Sequence, residues 1–137
     1  MSSLEKTQHG EGGQALVEFA LIIPLLVLLL MGIFDLGRGV YAYNVVASAA
    51  REGAHYGVLD PTNTNEIQNR AKANTAALDP NQISIQIQCS NNGTSFDSTC
   101  NPNRTFLRVT VTYTFQPITL FFSNLTLTGR SMMAIEP

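Results

Sequence analysis

With 137 residues, of which 45% are hydrophobic and 13% charged, this chain has room for one membrane-length helix and one small domain, but not for a large core. A formal net charge of −2, with no basic cluster or aromatic platform, excludes an electrostatic nucleic-acid partner.

The first residues, Met1 to Gly13, are polar and end in glycine, with Lys6 as their only fixed positive charge. From Ala15 to Phe34 follow about 20 residues in which Glu18 is the only charge, roughly 30 Å of helix or one hydrocarbon thickness. The centre of this run, Leu21–Met31, has no polar side chain. A soluble chain of this size could not surround it, so a membrane-inserted helix is expected. A carboxylate in such a helix costs roughly 2.5–3.5 kcal/mol at its centre and less toward its end, so Glu18 needs a partner or must snorkel to the headgroups. Pro24 removes one backbone hydrogen bond and is expected to kink the helix, which membrane helices tolerate. The competing reading is a cleaved secretory signal with Ala47-Ser48-Ala49 as its small-x-small site. That site lies far beyond the apolar run, and the run exceeds the usual ~7–15 residues.

No helix breaker follows Phe34 until after Tyr56, although Gly32, Gly37 and Gly39 each weaken the helix by about 1 kcal/mol relative to alanine. Asp35 and Arg38 lie one turn apart and suit an ion pair of a few tenths of a kcal/mol. Ala42, Val46, Ala49, Ala50, Gly53 and Gly57 make one small-residue face, and Asn44, Ser48, Arg51 and His55 make a polar face opposite. Small residues let backbones approach closely, so the first face can pack against the chain's own globular part or against other subunits.

A polar leader ending in Gly13, a glutamate five residues later at Glu18 and a membrane-length apolar run together resemble a type IV prepilin. The resemblance implies cleavage after Gly13 by prepilin peptidase on the cytoplasmic face, leaving Gln14 as the new N-terminus and Glu18 as the fifth residue of the mature chain. The freed α-amine, with a pKa of about 8, would be mostly protonated. It would lie one turn from Glu18 and could pair within the subunit or with a neighbour's glutamate. The stretch Gln14-Ala15-Leu16-Val17-Glu18-Phe19-Ala20 with Ile23-Pro24, and then Ala50-Arg51-Glu52-Gly53-Ala54-His55-Tyr56, is similar to the TadE-like proteins, pseudopilins of the tight-adherence pilus machinery. The resemblance spans roughly residues 13–57 and returns near Ile118–Ala134. Gln14 departs from the phenylalanine of ordinary major pilins and fits the TadE-like pattern. The implied partners are prepilin peptidase, other pilin or pseudopilin subunits and membrane lipid, with no cofactor. The implied location is a single pass through the cytoplasmic (inner) membrane with the C-terminal domain outside the cytoplasm, and the extracellular pilus is a further destination. Charge alone does not set that orientation, because Lys6 faces Arg38 and Arg51 across the span.

Beyond the helix, residues 58–137 are expected to form a small α+β domain. Asp60-Pro61-Thr62-Asn63 reads as a turn, with Asn63 or Thr64 capping a helix over Glu66–Leu78 whose apolar contacts are Ile67, Ala71 and Leu78. Ile83, Ile85, Ile87 and Cys89 alternate with polar residues as a half-buried strand. Leu107, Val109, Val111, Tyr113 and Phe115 alternate more strongly, and the two strands should pair as a long-looped hairpin. Leu125–Ile135 reads as a third strand, giving an antiparallel sheet packed on the Ala42–Gly57 face. Pro117–Phe122 is too apolar for a comfortable exposed loop. It can cover the sheet, touch the membrane surface or dock another subunit.

Cys89 and Cys100 flank a polar, turn-rich loop and are read as a disulfide, worth near 3 kcal/mol in the chain-entropy model and implying an oxidising compartment. A reactive thiol pair fits less well, since the spacing is far from Cys-x-x-Cys. A metal site lacks ligands, with His9 in the leader and His55 on a helix face. The Asn-x-Thr triplets at Asn92, Asn103 and Asn124 read as polar turns. Two functions are in play: a structural (pseudo)pilin subunit, or a non-polymerising anchored domain that binds a partner outside the cytoplasm. No Ser/His/Asp set, phosphate-cradling glycine loop or plausible carboxylate pair points to an enzyme.

Overall fold

The computed structural model describes residues 11–119 and 123–135. Most of the leader, Met1–Gly10, and the pair Phe121-Phe122 therefore lie outside the described residues. The described chain is α+β: a long helix α1 (Glu11–Leu59), a short helix α2 (Thr64–Asn74), and strands β1 (Ile83–Ser90), β2 (Phe106–Phe115) and β3 (Leu125–Ala134). The α1 helix is continuous over 49 residues and runs through Pro24 and the glycines at 32, 37 and 39 without a break.

The sheet has strand order β1-β2-β3 with both pairings antiparallel, from Ile83 opposite Tyr113 to Ser90 opposite Phe106, and from Phe106 opposite Ala134 to Phe115 opposite Leu125. Side chains alternate across a strand with a period of two. One face therefore presents Ile87, Cys89, Leu107, Val109, Val111 and Gly129 to the helices, all buried. The other face carries Ser84, Gln86, Thr110, Thr112, Thr126 and Thr128. The two strand positions nearest the expected ends differ by one residue from the sequence reading, β2 beginning at Phe106 and β3 ending at Ala134.

The upper part of α1 and the two inner residues of α2, Ile67 and Ala71, complete the core. The fit to the sheet is set by glycines. A Cβ on Gly129 would lie 2.5 Å from the Val46 carbonyl oxygen and 2.8 Å from the Ala47 nitrogen, so β3 crosses directly over the helix backbone. A Cβ on Gly57 would drive into Leu107, and one on Gly53 would press on Ala71 and Val109 at 3.2 and 3.3 Å.

Helix α2 is capped as expected by Asn63, whose side chain accepts from the Glu66 N–H at 3.2 Å. It ends at Asn74 rather than Leu78. The Thr75 N–H and hydroxyl both donate to the Lys72 carbonyl at 2.9 Å, which closes the last turn early. Leu78 still packs against the core from the turn that follows. Cys89 and Cys100 form a disulfide that closes the β1–β2 connection. That loop is folded back by paired backbone hydrogen bonds between Cys89 and Asp97, by Arg104 on Asp97 at 2.6 Å, and by Arg108 stacked over Phe96 at 3.8 Å. Gly93 takes a positive φ of 72° at its tip, inside a turn built on Ser90 and Asn92.

Candidate functional site

The candidate site is α1 itself, and the structure divides it into two halves. From Leu16 to Phe34 the apolar side chains are exposed, and none of the most apolar stretch is covered by the rest of the chain. The helix is long and apolar enough to cross a membrane. Glu18 stands on this bare half, exposed, with Gln14 Nε2 donating to its Oε1 at 3.2 Å. This is the one-turn geometry that i, i+4 spacing creates. Gly13 lies in the first turn of the helix with open space where a Cβ would stand.

The upper half is occupied. Ala42, Val46, Ala49, Ala50 and Gly53 are all buried against the sheet and α2, so the chain's own domain covers the small-residue face. Asn44, Ser48, Arg51 and His55 point away and are exposed.

Between the halves sits Asp35, at the first position after the apolar run and 5% exposed. Its expected ion pair with Arg38 is present at 3.4 Å, but stronger partners come from 83 and 84 residues along the chain. The Ile118 N–H donates to Oδ1 at 3.0 Å, and the Thr119 N–H and Oγ1 donate to Oδ2 at 2.8 and 2.7 Å. The backbone hydrogen bonds from Ile118 and Thr119, followed by the Thr119 hydroxyl and the Arg38 charge, hold the carboxyl below its ordinary value of 3.8. Asp35 thus ties the β2–β3 connection to the point where α1 leaves the apolar run. Sequence reasoning missed this role. The available signals were a lone acid closing an apolar run and the unusually apolar Pro117–Phe122 stretch, and no spacing in the sequence links the two.

Around this tie the groove between α1 and the end of the sheet is lined by apolar side chains, among them Leu29, Ile33, Leu36, Val40, Phe115 and Leu125. Arg38 lies over the ring of Phe115, one of the lining residues, at 5.4 Å. Among the described residues, no group of three or more His, Cys, Asp and Glu is placed to hold a metal ion.

Residues 13–55 match the family model described as TadE-like protein, and over that stretch the chain is similar to that family. The match takes in Gly13, Gln14, Glu18 and Asp35, together with the helix face from Ala42 to Gly53. No curated protein and no solved structure matches the chain.

Proposed function

We propose that this chain is a pseudopilin-type subunit of a tight-adherence pilus machinery, matured by prepilin peptidase after Gly13 and held in the cytoplasmic membrane by α1. The observation that supports it is the exposed Glu18 carboxylate on an otherwise bare apolar helix, one turn from Gln14 within the TadE-like segment. Cutting before Gln14 would free a protonated α-amine one turn from Glu18, available to that carboxylate or to a neighbour's. A charged pair in hydrocarbon offsets the cost that each charge carries alone. Its partners on this reading are the peptidase, membrane lipid and other pilin or pseudopilin subunits, and the domain after α1 stands outside the cytoplasm, where the Cys89–Cys100 disulfide persists. The chain acts as a structural part and not as an enzyme.

Glu18→Ala should still insert in the membrane but should not enter the assembled pilus. This is read by membrane fractionation beside pilus shearing, and normal incorporation of the variant would refute the role given to Glu18. Gly13→Leu should leave a full-length chain, checked by intact mass against the wild-type product starting at Gln14.

A second reading is favoured by one observation: the small-residue face that could bundle with other subunits is spent on the chain's own core. A non-polymerising anchored domain would use α1 as a tether alone. An intact N-terminus at Met1 in the native protein would select it.

A further inference from the structure

Exposed apolar side chains on α1 do not stop at the end of the span. Leu36, Val40, Tyr41 and Tyr43 continue beyond Phe34 and are exposed as well. From Leu16 to Tyr43 the helix keeps one exposed apolar side over about 42 Å at 1.5 Å per residue, against a hydrocarbon core of about 30 Å, while Asp35 and Ala42 on its other side are buried. The surplus lies at the base of the domain. Strand β2 runs antiparallel to α1, with Leu107 against Gly57 and Phe115 beside Gly39. The connection that follows β2 therefore descends toward the span, and Asp35 holds it there through Ile118 and Thr119. Although its N–H is tied, Ile118 is 61% exposed, and Leu125 across the connection is 56% exposed.

We propose that this base is seated in the bilayer interface. The groove of about 780 Å³ between α1 and the sheet end takes a phospholipid acyl chain, Ile118 and Leu125 enter the boundary between acyl chains and headgroups, and Arg38 meets the phosphate. The inference rests on reading residues 15–34 as a membrane span. Three observations select lipid over a second copy of the chain. The groove floor includes Leu29 and Ile33, which belong to the span, so the groove is continuous with the hydrocarbon. Asp35, the one acid among the described residues lining it, has both oxygens occupied by internal donors and presents no free anion to a phosphate. Arg38 touches two of the lining residues, Asp35 at 3.4 Å and the Phe115 ring at 5.4 Å, while its side chain stays 49% exposed beside the groove, and Tyr41 and Tyr43 follow it as interfacial side chains do.

The chain has no tryptophan, so a single introduced one reports a single site. The full chain is reconstituted in vesicles of phosphatidylcholine and phosphatidylglycerol whose acyl chains carry bromine at shallow or deep positions. Leu26→Trp marks the span, Ile118→Trp and Leu125→Trp mark the base, and Leu59→Trp marks the far end of α1. Ile118→Trp and Leu125→Trp should each lose more than half of their emission to the shallow label, Leu26→Trp to the deep label, and Leu59→Trp to neither. If Leu26→Trp is quenched while both base reporters are untouched by lipid, the interfacial seat is wrong. Protection of those reporters from aqueous iodide that grows with protein density would then identify a second copy as the occupant. If Leu26→Trp is itself unquenched, the membrane span fails and the seat falls with it.

Discussion

Asp35 joins two parts of the chain that sequence distance keeps far apart. Asp35→Ala leaves the Ile118 and Thr119 N–H groups without their acceptor, and the buried Thr119 suffers most because water cannot replace it. Asp35→Asn keeps an acceptor and should fall between alanine and the wild type. Amide hydrogen exchange at residues 118 and 119 measures both. Because the folded carboxyl is held below 3.8, its contribution is fully present above that value and is lost as pH falls through the lower folded value. Protection of these two amides should therefore be constant from neutrality down to about pH 4 and should fall only in stronger acid, whereas Asp35→Asn should show no such step. At Gly129 the constraint is steric. Gly129→Ala forces a methyl against the Val46 carbonyl, and overpacking of this kind costs typically 1–3 kcal/mol, read as a lowered unfolding midpoint.

The β1–β2 hairpin depends on its covalent closure at the scale of elements. Its connection is long for a hairpin, and the disulfide spans a sequence separation of 11. Replacing Cys89 and Cys100 together by serine should destabilise the domain by about 2–4 kcal/mol, measured by denaturant unfolding with and without reductant. Because Cys89 is a fully buried core residue, part of that loss will come from packing and will persist when the wild type is reduced for comparison. The strands and helix faces were legible from the sequence because each pattern repeats with a simple period: two along Leu107–Phe115, and three to four along Ala42–Gly57. The end of α2 was not. Its sequence, with two alanines after Thr75, continues to favour helix, and a hydroxyl hydrogen bond to Lys72 overrides that propensity.

The molecule as a whole is a small domain whose core borrows the upper half of a helix and leaves the lower half bare. Among the described residues the apolar core begins at Ala42, so deleting those before Asp35 removes none of it. The truncated chain should retain its strand and helix signature by circular dichroism and lose its dependence on detergent, as seen by sedimentation. If it unfolds instead, the apolar half of α1 contributes to the stability of the fold as well as to anchoring. What the sequence by itself determined is the inventory: an apolar helix of membrane length with one acid, three strands, a short helix and a cysteine pair. These are local patterns, each readable within its own window of residues. What only the tertiary structure decided is how the parts share α1. The small-residue face is consumed internally because Gly129, Gly53 and Gly57 bring backbones and side chains too close for anything else to enter. The base of the sheet is fixed beside the span because one carboxylate accepts from donors more than 80 residues away. Contacts across that distance follow from the register of the sheet on the helix, which no single stretch of sequence encodes.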